Sequence, residues 1–208
     1  MADPAAARRH DLAYLTPAAW RDHVAGLEDT VLDWADFGRP AIFRRRLCGD
    51  PAGAVPLGLP LPPGMGRKRL ALSCPPDAIR WVAPPPLLRD ARAAAPEAWQ
   101  TVIDALLSRE PAWRCFGSLA WQHLTGLPYL TATSDLDLLI PCPTQADAAR
   151  LTTALAEIAV EAPMRLDAEL LSPAGAGVQW REWMSDAPDL LVKTAEATTL
   201  VPREGVFP

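Results

Sequence analysis

The segment Asp135-Leu136-Asp137-Leu138-Leu139-Ile140 leaves the chain little choice of local structure. It is short, apolar and closed by Pro141, which reads as a strand. Side chains alternate across a strand, so Asp135 and Asp137 project from one face. Two carboxylates side by side repel each other unless a cation sits between them. A divalent ion held by hard oxygen ligands relieves that repulsion, and magnesium, or manganese in its place, is the expectation. An Asp-x-Asp pair alone is common as surface charge. Here Leu136, Leu138, Leu139 and Ile140 imply burial, and that favours a metal site.

The residues before this strand supply a second element. Trp113 to Phe116 reads as a short strand, and Gly117-Ser118 opens a helix running to about Leu124. A small-residue turn at a helix N-terminus presents backbone N–H groups to a phosphate. A phosphate cradle beside a metal-binding pair points to phosphoryl or nucleotidyl transfer. Further on, residues 164–170 alternate apolar and polar as a strand, with Asp167 and Glu169 on one face. Either could complete a carboxylate triad with Asp135 and Asp137, against the plainer reading of a solvent-facing strand edge. Asp167, central in the strand, is preferred. Lys193, at the end of a later strand 189–193, is either a point charge for phosphates or an ordinary surface lysine. His10, His23 and His123 follow no metal-ligand spacing.

Composition bounds the rest. At 208 residues, half of them hydrophobic, the chain suits one large or two small domains with a real core. No run of about 18 apolar residues predicts a membrane helix. The first residues lack the compact apolar stretch of a signal peptide. Cys48, Cys74, Cys115 and Cys142 are scattered without a CxxC pair, which argues against a zinc site and fits a reducing cytoplasm. The formal charge of −5 divides into +2 over residues 1–90 and −7 over residues 91–208. Neither half carries the basic stripe of a nucleic-acid surface.

In the first half, residues 1–10 read as a loose leader. Thr16-Pro17 reads as an N-cap and first helical residue, with Trp20, Val24 and Leu27 docking a helix to about Ala25. A strand at 40–43 leads into Arg44-Arg45-Arg46, and Arg67-Lys68-Arg69 leads into a strand at 70–72. The two basic triplets either face one anionic ligand or are solvated strand edges. Between them the Gly/Pro-rich residues 49–66 read as an irregular loop packed on the protein. Pro84-Pro85-Pro86 and the Ala-rich residues after it mark a boundary, giving domains over 1–90 and 91–208. Helices are expected from Pro96 and from Thr144, the latter opened by a capping box with Asp147 in place of Glu. Val178-Gln179-Trp180 reads as a short strand.

This order of elements resembles the nucleotidyltransferase superfamily related to DNA polymerase β. The superfamily has a Gly-Ser at a helix start, an Asp-x-Asp/Glu on the next strand and a third carboxylate on a later one. The spacing departs slightly, with sixteen residues between Ser118 and Asp135. A closer resemblance is to the phosphoribosyl-dephospho-CoA transferases of malonate decarboxylase, its holo-acyl-carrier-protein synthases. It is carried by Gly117 to Gln122, Thr125-Gly126-Leu127, Tyr129 and Ser134 to Leu139. It extends to Arg165 to Leu170, Trp180-Arg181-Glu182 and Leu191 to Thr194, and covers most of the chain. The N-terminal half contributes Gly38-Arg39-Pro40, Arg44-Arg45 and Val55 to Pro60.

The resemblance implies an α+β protein: a small N-terminal α/β domain that binds substrate or carrier, then a polymerase-β-like catalytic domain with a mixed sheet. It implies transfer of 2′-(5″-triphosphoribosyl)-3′-dephospho-CoA to a serine of the apo acyl-carrier subunit, with release of pyrophosphate. Asp135, Asp137 and Asp167 or Glu169 would then hold the metal. Gly117, Ser118 and Lys193 would hold the triphosphate. Arg44, Arg45, Arg67, Lys68 and Arg69 would take other phosphates or an acidic carrier surface. The competing expectations are another nucleotidyltransferase, modifying a protein or small molecule, and a non-catalytic carrier-binding module.

Overall fold

The computed structural model describes residues 7–23, 34–66 and 69–208. The chain divides into two compact units, Met1–Pro85 and Pro86–Pro208.

In the first unit, β1 (Leu12–Leu15) is followed by α1 (Pro17–His23), β2 (Ala41–Phe43), β3 (Val55–Pro60), β4 (Arg69–Cys74) and β5 (Ile79–Ala83). The strands form one antiparallel sheet in the order β4-β3-β2-β1-β5. Thr16 caps α1 by accepting from the Ala19 N–H at 3.1 Å, and Pro17 occupies the first helical position, where its missing donor costs nothing. Trp20 is buried as expected. Val24 and Leu27 lie outside the described residues.

Residues 49–66 are not an irregular loop throughout. Val55–Pro60 is a strand paired on both sides, with Leu57 and Leu59 fully buried. Its prolines obscure this. Pro56 faces the β2 side, its carbonyl accepting from Arg44 N–H at 3.3 Å. Pro56 lies just past the last paired residue of the three-residue β2, so the donor it lacks falls at the end of the ladder and not within it.

The second unit runs α2 (Leu88–Ala91), α3 (Glu97–Arg109), β6 (Arg114–Phe116), α4 (Gly117–Thr125), β7 (Leu136–Pro141), α5 (Gln145–Ala159) and β8 (Leu166–Leu171). It closes with β9 (Gly177–Gln179), α6 (Trp180–Trp183), β10 (Asp189–Lys193) and β11 (Thr198–Pro202). The sheet order is β11-β10-β9-β8-β7-β6. Only β7 and β8 pair in parallel, and α5 makes the crossover that a parallel pair requires. With one antiparallel and one mixed sheet, the protein is α+β.

Alternation divides the central strands. Leu136, Leu138, Ile140, Leu166, Ala168 and Leu170 are all buried in one cluster with Trp99, Ile103 and Leu106 of α3 and Leu151 and Leu155 of α5. Asp137, Asp167 and Glu169 alternate with them on the other face. Thr144 Oγ1 caps α5 by accepting the Asp147 N–H at 3.1 Å and itself bonds Asp147 Oδ2 at 2.7 Å, so Asp serves in this capping box. Trp180 does not continue a strand. It opens α6, because the Gln179 side chain caps a helix there. Among the described residues, no helix is long and apolar enough to cross a membrane.

Candidate active site

Asp135 immediately precedes β7, which is anchored at its first residue by Leu136 N–H donating to the Arg165 carbonyl at 2.9 Å. Asp137 is the second residue of the strand, and its register partner on β8 is Asp167. Neighbours in register on a sheet point the same way. Oxygen atoms of Asp135, Asp137 and Asp167 therefore converge within 4.8 Å of one another, all three residues being half-buried. Such a cluster is unfavourable without positive charge between its members. Hard oxygen donors at this spacing fit a magnesium or manganese ion.

Glu169 does not belong to this group. Two residues further along β8, its carboxylate meets Lys193 Nζ at 3.5 Å and is buried against Gly177. The register explains this: Glu169 lies opposite Gln179, and Lys193 opposite Gly177. Lys193 thus stands on the carboxylate face, held by Glu169. Arg165 is mostly exposed and reaches Asp167 only at 3.9 Å.

Gly117 closes the other side. β6 pairs Phe116 with Asp137, and the chain turns into α4 at Gly117 with φ of +60°. A Cβ there would lie 1.8 Å from Asp137 Oδ2. Both the left-handed backbone and the close approach exclude a side chain. The N–H groups of the first turn of α4 therefore begin directly beside the carboxylates, with Ser118 at the second position.

Three polar side chains to which the sequence reading gave no role hold this arrangement. Gln122 donates to the Ala94 carbonyl at 2.8 Å and accepts from the N–H groups of Tyr129 and Leu130 at 3.1 and 3.0 Å. It thereby fixes the loop that delivers Asp135. Ser134 tightens the last turn of that loop, accepting Thr131 N–H at 2.9 Å. Gln179 Nε2 donates to Asp167 Oδ1 at 2.8 Å. Gln122 and Ser134 stand in the segments that carry the resemblance, but the role of all three side chains is not legible in the sequence, because each acts through contacts that the folded chain creates.

The basic triplets lie in the first unit. The Arg44 guanidinium grips Asp50 through both terminal nitrogens, at 2.8 and 2.5 Å, and donates from Nε to the Leu57 carbonyl at 2.9 Å. It braces its own sheet. That pairing, with the Leu47 N–H, holds the Asp50 carboxyl down at about 2. Arg46 likewise bonds the carbonyls of Pro51 and Ala54. Arg45 is exposed, and Arg69 is an exposed residue opening the edge strand β4. Arg67 and Lys68 lie outside the described residues.

The profile described as phosphoribosyl-dephospho-CoA transferase MdcG C-terminal domain matches residues 87–204, and that of the corresponding N-terminal domain matches residues 8–85. The chain belongs to the phosphoribosyl-dephospho-CoA transferase family. A relative of that name from Bradyrhizobium diazoefficiens is 44% identical over 204 residues, covering 94% of this chain and 90% of the relative. One from Xanthomonas euvesicatoria pv. vesicatoria is 39% identical over 207 residues, 97% of each chain. One from Pseudomonas putida is 35% identical over 204 residues, 94% of each chain. No solved structure matches this chain. All three carboxylates, Gly117 and Gln179 fall within the C-terminal match, which begins one residue after Pro86 opens the second unit.

Proposed function

We propose that this member of the family transfers 2′-(5″-triphosphoribosyl)-3′-dephospho-CoA to a serine of the apo acyl-carrier subunit of malonate decarboxylase and releases pyrophosphate. The observation that carries the reading is the convergence of Asp135, Asp137 and Asp167 beside the N-terminus of α4. A bond forms between the serine oxygen and the α-phosphorus, and the bond to the leaving pyrophosphate breaks. Asp135, Asp137 and Asp167 would hold a magnesium or manganese ion, which when bound would supply Lewis-acid activation and charge neutralisation.

The chain's own groups do the rest. Asp167, the acid contributed by the neighbouring strand, accepts the serine proton in this reading. The N–H groups at Gly117 and Ser118 hold the β- and γ-phosphates where a side chain at 117 would block them. Lys193, kept on the carboxylate face by Glu169, adds a point charge for the triphosphate. The N-terminal domain binds substrate or carrier, with Arg45, Arg67, Lys68 and Arg69 as the basic residues for it. Arg44 is given up from that set, because its guanidinium is bound to Asp50. Four free cysteines, three of them buried, fit a cytoplasmic enzyme.

The test is incubation with the triphosphoribosyl cofactor, magnesium and apo-carrier, followed by intact-protein mass measurement. The expected result is a carrier heavier by the thiol-bearing prosthetic group, with one pyrophosphate released. An adduct without a thiol would identify another nucleotidyltransferase. An unchanged carrier mass would leave only a carrier-binding role.

A further inference from the structure

We propose that Gln179 is a positioning residue for Asp167, a role that rests on the metal-dependent transfer proposed above. Gln179 ends β9 and sits at the N-cap of α6. Its Oε1 accepts from the N–H groups of Arg181 at 2.6 Å and Glu182 at 3.1 Å. Its Nε2 donates to Asp167 Oδ1 at 2.8 Å. The two ends of the amide cannot be exchanged. Two backbone donors require the oxygen on one side, and a carboxylate requires the N–H on the other.

Capping alone does not account for a glutamine. Ser, Thr, Asp and Asn cap a helix with shorter side chains that lose less freedom. What glutamine adds is a donor at the opposite end. With Oδ1 of Asp167 fixed by that donor, the remaining lone pairs of the carboxylate are directed to the other two aspartates. A carboxylate so oriented enters its metal site with less to lose on binding, and removal of such a support typically costs about 10–100-fold in metal affinity or activity. Among the described residues, Arg165 also approaches Asp167, at the longer distance of 3.9 Å. The fixed end of α6 also holds Arg181, whose Nη1 donates to the Leu166 carbonyl at 2.9 Å, so the cap and the carboxylate are tied to adjacent residues of β8.

Three variants of the full chain test this: Gln179→Glu, Gln179→Met and Asp137→Asn. Gln179→Glu keeps one oxygen to accept from the cap N–H groups but presents its other oxygen, in place of the N–H donor, to Asp167. It should unfold cooperatively like the parent, yet lose about 10–100-fold in kcat with little change in KM for the carrier. Gln179→Met removes donor and cap together. Its affinity for Mn2+ alone, read by electron paramagnetic resonance without substrate, should fall about tenfold. Gln179→Glu with kcat unchanged would reduce Gln179 to a helix cap and overturn the proposal, even where Gln179→Met fails to fold. Unchanged Mn2+ affinity in a folded Gln179→Met would do the same. Asp137→Asn separates the two readings. If it loses Mn2+ binding while both Gln179 variants behave as the parent, only the positioning role falls. If it binds Mn2+ normally, the metal centre and the role of Gln179 fall together.

Discussion

A methyl group at position 117 would meet an oxygen of Asp137 at 1.8 Å, so Gly117→Ala must move either the aspartate or the turn. The left-handed backbone alone costs a non-glycine residue about 1–2 kcal/mol. We expect Gly117→Ala to melt several degrees lower and to be inactive, as read by thermal denaturation and by carrier mass. Asp135→Asn and Asp137→Asn should behave oppositely in stability. Each removes one charge from a repelling cluster at constant volume, so melting in the absence of metal should be unchanged or higher while transfer falls by orders of magnitude. Normal turnover in either would exclude it as a metal ligand. The Asp pair was legible because two acids in an apolar strand conflict with every other purpose of that strand. The choice between Asp167 and Glu169 was not. It depends on the register of β7 against β8, which aligns Asp137 with Asp167 and leaves Glu169 to Lys193. No single strand reveals its neighbour's register.

At the scale of elements, α5 is held at its start by Thr144, and this helix makes the crossover between the two aspartate-bearing strands. Thr144→Ala should cost about 1 kcal/mol in denaturant unfolding and leave kcat unchanged, since Thr144 bonds Asp147 and none of Asp135, Asp137 and Asp167. A loss of transfer without loss of stability would contradict this separation. The helices were legible because their apolar spacing and caps are local. β3 was hidden because Pro56, Gly58 and Pro60 are turn residues by type, and only the shortness of β2 makes prolines acceptable there. β11 escaped because most of its residues are exposed and its ladder partner β10 is what defines it. Trp180 reads as strand because the cap that begins α6 comes from a glutamine, a residue outside the usual set.

For the molecule as a whole, the large apolar cluster is built entirely from residues between Leu88 and Phe207. A fragment of residues 86–208 should therefore unfold cooperatively and keep its Mn2+ affinity; a molten fragment would show that the second unit depends on the first. The first unit has its own acid-sensitive brace. Arg44 and the Leu47 N–H hold Asp50 at about 2, below its ordinary 3.8. The stabilisation is thus full above the ordinary value and is lost as pH falls through about 2. In the full chain, Asp50→Asn should lower stability at pH 5, and the gap from the parent should close as pH approaches 2. A gap independent of pH would mean the ion pair contributes nothing. The alternation of the central sheet carries one more consequence. Along β7 and β8 the even-numbered residues, from Leu136 to Leu170, face the core cluster, while the odd-numbered Asp137 and Asp167, with Asp135 just before β7, gather on the opposite face. Substitutions can refine one parity without disturbing the other. A single-residue deletion at the start of either strand swaps the parities and places acids in the core and leucines on the carboxylate face. Such a chain would fail as a folded protein before it could fail as a catalyst.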